Sequence, residues 1–156
     1  MSELEFTIEI AAPADRVFAF FAPQRMPYWY GAEMQAEFEV SAAADGRAEF
    51  RVGDKVQIRA QLSRREVSLT AVVTCYERGR LLEWQFHDAY GVRGMQRWEL
   101  EPTATGTRVR MADHFRLPGR FGWFFEWLIT RRAAALRGKN WLARLKELAE
   151  GAPDRK

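Results

Sequence analysis

Residues 96–117 read QRWELEPTATGTRVRMADHFRL, and apolar side chains occupy every second position on both sides of residues 103–106. Such alternation is typical of β-strands with one buried face, because successive side chains of a strand point to opposite sides of its sheet. The connection between the two halves is rich in turn-forming residues, so the segment is predicted to form an antiparallel hairpin. In that register Asp113 lies directly opposite Gln96, and both are on the apolar face.

Five further segments alternate in the same way, and each is predicted to be a strand. They are residues 4–10, 34–40, 56–62, 67–73 and 82–86. Two short helices are expected after the first strand. They are opened by Pro13 and Pro23, since proline suits the first turn of a helix.

A long C-terminal helix is predicted where the apolar period changes. After Pro118 and Gly119 the period becomes 3.6, which indicates one helix over residues 120–149. Antiparallel strands need a cover on their apolar face, and this helix is the only predicted element large enough to provide it. We therefore expect residues 1–150 to form one α+β domain, a seven-stranded curved antiparallel sheet around the helix, followed by a loose tail at residues 151–156.

Composition and charge exclude several classes of protein. Apolar residues make up 47% of the chain, and the single cysteine, Cys75, excludes an internal disulfide and a cysteine-based zinc site. Residues 1–50 carry three Arg and nine acidic residues, whereas residues 51–156 carry 21 basic and 12 acidic residues. Adjacent first and last strands would let these charges pair, which argues against a nucleic-acid partner. No charged-then-apolar leader and no membrane-length apolar run are seen, so a cytoplasmic location is expected.

Five short motifs match the pattern of a known superfamily. They are IEIAAPADRVF at residues 8–18, VGD at 52–54, LEW at 82–84, WELEP at 98–102 and GTRV at 106–109. Together with the order of elements, these motifs resemble the START-like superfamily, also called SRPBCC, which includes polyketide cyclase/dehydrase-like proteins and lipid-transfer domains. The resemblance covers nearly the whole chain and implies the helix-grip fold. It specifies chemistry poorly, because the superfamily includes carriers, cyclases and ligand sensors.

Three polar residues fall in phase with the apolar faces of the predicted strands. They are Asp88, Gln96 and Asp113. If the turn after Asp88 closes in register, Gln96 also lies opposite Trp84, and a row Trp84–Gln96–Asp113 crosses the face. A buried amide and carboxylate need hydrogen-bond partners, and the candidates are Tyr28, Arg131 and Arg132. Such a row can stabilise the fold or orient an apolar ligand.

His87 and His114 fall on the opposite phase and are expected to face solvent. This removes the usual general base from the pocket and leaves no histidine-rich metal site. The chain also lacks a serine in a nucleophile-elbow setting and a phosphate-binding loop. The sequence therefore argues against a hydrolase, a metalloenzyme and a nucleotide enzyme, and no cofactor is expected.

The leading interpretation is a non-catalytic carrier or sensor of a hydrophobic small molecule such as a lipid, a polyketide or a quinone-like compound. The expected ligand-binding residues are Phe38, Trp84, Phe86, Gln96, Trp98, Met111, Asp113, Phe115, Phe125 and Leu128, with Tyr90, Phe121 and Phe124 at the pocket mouth. Small residues opposite the sheet predict an apolar cavity of roughly a few hundred cubic ångströms. They are Ala71, Gly94, Ala135 and Gly138.

Two other functions stay open at this point. One is a cofactor-independent polyketide aromatase/cyclase or dehydratase with Asp113 or Asp88 as the base, because burial raises a carboxyl pKa toward neutrality. The other is a partner-binding adaptor of the cochaperone-activator type, which predicts a filled core and an exposed apolar groove. The aromatic start of the C-terminal helix, with arginines nearby, would also suit transient contact with a membrane surface. A monomer or a weak homodimer is expected.

Overall fold

The computed structural model describes residues 2–30, 37–40, 46–62, 65–88, 91–116 and 123–151. Its strands are β1 (Ser2–Ile10), β2 (Glu37–Val40), β3 (Lys55–Leu62), β4 (Arg65–Glu77), β5 (Leu81–Asp88), β6 (Arg93–Thr103) and β7 (Gly106–Arg116). They form one curved, seven-stranded antiparallel sheet in the order β1-β7-β6-β5-β4-β3-β2. Strands β2 to β7 follow one another along the sheet and β1 pairs with β7, so the predicted α+β helix-grip architecture is confirmed.

The helical elements are α1 (Ala14–Phe18), two 3₁₀ turns at Ala19–Phe21 and Met26–Tyr28, and the long α2 (Trp123–Glu150). The short helix expected after Pro23 is therefore a single 3₁₀ turn. It stops there because the next two residues, Trp29 and Tyr30, turn into the core and are almost fully buried. The long helix is continuous from Trp123 onward, as predicted, and residues 119–122 lie outside the described part of the chain.

Helix α2 covers the apolar face of the sheet. Its inner residues Trp141, Leu142, Leu145 and Ala149 belong to the same buried cluster as Leu4 of β1. Alternation along the strands fixes which face this is, since Leu4 is buried while its neighbours Glu3 and Glu5 are exposed. The prediction that the helix lies on the apolar face is confirmed.

Two glycines that were expected to leave room in the core are covered by aromatic rings. A methyl group added at Gly94 would lie 2.2 Å from the carbonyl oxygen of His114 and 2.5 Å from the Phe86 ring. A methyl group added at Gly138 would lie 2.6 Å from the Phe6 ring. Both positions therefore allow close packing, and the interpretation of these two glycines as sources of a void was wrong. A small residue leaves space only if no neighbouring side chain fills it.

Charged side chains on the opposite face of the sheet pair across the strands. Glu9 lies 2.6 Å from Arg108, and Arg110 lies 2.9 Å from Glu99 and 3.9 Å from Glu5. The acidic first strand and the basic last strand thus neutralise each other, as the sequence predicted. The two histidines are on this outer phase as well, and His114 lies 3.6 Å from Glu3.

Candidate functional site

Strands β5, β6 and β7 assemble a polar row on the concave, apolar face of the sheet. Trp84 pairs with Gln96, and Gln96 pairs with Asp113, which is the register expected from the sequence. A register shift between Val73 and Cys75 falls in β4, so it leaves these three strands unaffected. A bulge in any of the three would have turned Asp113 or Gln96 to the other face.

Gln96 is the centre of the hydrogen bonding in this row. Its Oε1 accepts one bond from the Tyr30 hydroxyl at 2.7 Å and a second from the Trp84 indole N–H at 2.9 Å. With the carbonyl oxygen occupied, the amide nitrogen is left to donate a hydrogen bond to the Asp113 side chain. Only one orientation of the amide satisfies all three contacts.

The hydroxyl that bonds Gln96 from outside the sheet belongs to Tyr30 and not to Tyr28, which was one of the three partners considered from the sequence. The 3₁₀ turn at Met26–Tyr28 leaves Tyr28 60% exposed, whereas Tyr30 packs its ring against Trp84 and Trp141. Burial raises the pKa of Tyr30 far above its usual value, and the negative charge of Asp113 acts in the same direction. The hydroxyl therefore stays protonated at neutral pH and donates to Gln96. The side chains of Arg131 and Arg132 lie outside the described residues.

Asp113 is a carboxylate inside an apolar face. It is 8% exposed, and burial raises its pKa to about 6, against the opposing effects of the Gln96 hydrogen bond and of electrostatic interactions with Arg137 and His114. Within the described residues its Oδ1 is buried without a hydrogen-bond partner. A buried polar atom left in this state costs about 1–3 kcal/mol. Asp113 therefore lowers the stability of the folded protein.

The wall around the polar row is aromatic and closely packed. Trp84, Trp98 and Met111 are fully buried, and Phe86 and Phe115 are almost so. These five predicted site residues thus share the concave face with Gln96 and Asp113. The Trp98 indole N–H is also buried with no hydrogen-bond partner among the described residues.

Most of the other predicted site residues lie outside the described part of the chain, and their place in the site stays a prediction. Tyr90 and Phe121 lie outside the described residues, as do the side chains of Phe38, Phe124, Phe125 and Leu128. Asp88 has a local structural use, because its Oδ1 accepts the backbone N–H of Val92 at 2.9 Å in the β5–β6 connection. This contact favours Asp113 over Asp88 as the chemically available carboxylate.

Sequence reasoning missed two residues of the site, Tyr30 and Arg137. Arg137 lies on α2 and its positive charge lowers the pKa of both Asp113 and Tyr30. Arg137 directly precedes Gly138, which faces the sheet. This position could have suggested that Arg137 lies near the site. Tyr30 had no comparable signal, since only the length of the 3₁₀ turn decides which of two nearby tyrosines enters the core.

No group of three or more His, Cys, Asp and Glu side chains in the described segments is arranged to hold a metal ion. Within the same segments, no helix combines the length and the apolar character that a membrane crossing requires.

Solved structures with this architecture come from several bacteria. The chain matches a Rhizobium leguminosarum protein at a TM-score of 0.74 and 14% identity, covering 96% of this chain and 94% of that one. Protein CV1439 of Chromobacterium violaceum matches at a TM-score of 0.71 and 16% identity, with 97% and 100% covered. DynU16, a protein of the dynemicin biosynthetic locus, matches at 0.64 and 20% identity, and the chain covers only 50% of it. At these identities the likeness is one of fold.

No curated protein matches the sequence. A family model does, over residues 1–150 of the 156, and it describes polyketide cyclases, dehydrases and lipid-transport proteins. The match extends from β1 to the last turn of α2, so it includes every residue of the polar row. The chain belongs to the polyketide cyclase/dehydrase and lipid transport family.

Proposed function

We propose that this protein binds a hydrophobic small molecule between the sheet and helix α2, as a carrier or sensor. The observation that supports this most directly is the polar row at Asp113, Gln96 and Tyr30 within an aromatic wall. Ligand sites of this kind are mostly apolar and contain a few polar groups that fix the orientation of the ligand. The unpartnered Oδ1 of Asp113 is such a group, since a ligand could supply the hydrogen bond that the described residues do not.

Binding should be measurable with a neutral hydrophobic dye such as Nile red. We expect its fluorescence to rise on mixing with the native protein, and Ala135→Phe to reduce the effect, because Ala135 packs against the core cluster from α2. Leu136→Phe is the matched control, since Leu136 is 62% exposed and should leave the signal unchanged. An equal loss of fluorescence in both variants, or no fluorescence increase with the native protein, would rule out a ligand-binding cavity next to Ala135.

A second candidate function, acid–base catalysis at Asp113, is favoured by the pKa of this carboxyl. At a pKa of about 6 the group is mostly ionised at neutral pH and is a stronger base than an ordinary aspartate. It could take a proton from the carbon next to a ketone, after which the enolate carbon attacks a second carbonyl of the same molecule and the proton passes to the new alkoxide. Such a ring closure needs no cofactor.

Asp113→Asn separates the two functions. If Asp113 only orients the ligand, affinity should change by less than about tenfold, or ~1.4 kcal/mol, because asparagine keeps most of the hydrogen bonds. If it is the base, binding should persist while proton removal slows by ~10²–10⁴-fold, since an amide cannot accept the proton. Deuterium exchange next to the carbonyl of an aromatic ketone such as 2-tetralone, followed by proton NMR, measures that step. A native protein that does not exceed the protein-free exchange rate excludes the catalytic function for ketones of this class.

A further inference from the structure

The hydrogen-bonding capacity of the polar row is used unevenly. The Tyr30 hydroxyl and the Trp84 indole N–H both donate to Gln96, and Gln96 in turn bonds Asp113. The Tyr30 hydroxyl, the Trp84 indole N–H and one N–H of the Gln96 amide are therefore occupied within the row. What is left over in the row is an acceptor, the buried Oδ1 of Asp113, while the aromatic wall beside it contributes one unpartnered donor, the indole N–H of Trp98.

The surroundings of Asp113 determine which kind of group can approach this oxygen. Leu4 of β1 pairs with Asp113 on one side and is apolar, while Gln96 of β6 occupies the other side. From helix α2 the charge of Arg137 acts on the carboxyl, and His114 is its neighbour on β7. Among the described residues, the other titratable group whose charge is coupled to Asp113 is Tyr30, which is protonated. A negatively charged head group would be repelled by the carboxylate of Asp113. A positively charged one would be repelled by Arg137, whose charge already acts on this carboxyl.

We propose that the ligand carries a neutral hydroxyl group, an alcohol or a phenol, that donates a hydrogen bond to Oδ1 of Asp113 on the apolar face between the sheet and helix α2. This inference rests on the proposed function, since it assigns the ligand class of the same site. Carboxylates such as fatty acids are excluded by the charge of Asp113, and ethers and esters are disfavoured because they cannot donate. Asp113 is thus the residue that determines specificity.

Three probes with the same ring system test the proposal: 2-naphthol, 2-methoxynaphthalene and 2-naphthoate. Their affinities are measured at pH 7.5 by displacement of Nile red and by calorimetry. We expect 2-naphthol to bind at least about tenfold more tightly than either of the others. In Asp113→Leu, whose side chain has the same branching but is bulkier and has no acceptor, the preference for naphthol over the methyl ether should disappear. In Asp113→Asn the affinity for 2-naphthoate should rise, because the negative charge is gone.

The outcomes separate this inference from the function on which it rests. If all three probes bind equally, or if naphthoate binds best, the hydroxyl proposal is overturned while a hydrophobic site remains. If neither the dye nor any probe binds the native protein, the proposed function fails and the inference fails with it. If the preference for naphthol persists in a folded Asp113→Leu variant, another residue selects the ligand and the assignment to Asp113 is wrong. Circular dichroism of each variant establishes that it is folded, and Asp113→Asn carries the test should the leucine variant not fold.

Discussion

Replacing Trp98 with alanine should lower the free energy of unfolding by about 3–5 kcal/mol, the range typical of large aromatic residues removed from a core. Trp98 is fully buried, and its ring centroid lies 5.0 Å from that of Trp84, 5.9 Å from Tyr30 and 6.1 Å from Phe21. The lost contacts join β6 to β5 and to the segment after α1, so no single element can move in to close the gap. Urea denaturation at pH 7 measures the effect.

A comparison of two tryptophan-to-phenylalanine changes separates packing from hydrogen bonding at this cluster. Trp84→Phe removes the 2.9 Å hydrogen bond to Gln96, whereas the Trp98 indole N–H has no partner among the described residues. Trp98→Phe should therefore cost about 1 kcal/mol less than Trp84→Phe, although both side chains are fully buried. Equal costs would mean that the Trp98 indole is bonded by a part of the chain outside the described segments.

The strand register could be predicted because alternation and turn positions constrain it strongly. Once residues 103–106 are taken as a turn, Asp113 must face Gln96, and the same reasoning places Gln96 opposite Trp84. Burial of alternate side chains then fixes the face, since a shift by one residue would expose Trp98 and Met111 together. The polar row could therefore be predicted from the sequence alone.

The residues outside the sheet that contact the polar row could not be predicted in the same way. Tyr28 and Tyr30 are two residues apart in an irregular segment, where no period indicates which one turns inward. Gly94 and Gly138 were misinterpreted for a related reason. A small residue is consistent with a void or with a neighbouring ring, and only the three-dimensional positions of Phe86 and Phe6 decide between them.

Replacing Asp113 with asparagine should make the protein more stable at neutral pH. Because the folded-state pKa of Asp113 is about 6, above its ordinary value of 3.8, the folded protein binds this proton more tightly than the unfolded chain does. The contribution of Asp113 to stability is thus greatest below pH 4 and is lost as the pH rises through 6. A shift of this size corresponds to a difference on the order of 3 kcal/mol between pH 4 and pH 7.

The asparagine variant lacks this titration, so the two stability curves should converge near pH 4 and separate above pH 6, with the variant the more stable. Denaturation at several pH values tests this, and repeating it in high salt is the control, because surface ion pairs are screened by salt while a buried group is not. Parallel curves would show that Asp113 is solvated and that neither of its proposed roles holds. Divergence would mean that the fold carries a carboxylate at a cost to its own stability. A cost of that kind is typical of a residue placed for binding or chemistry.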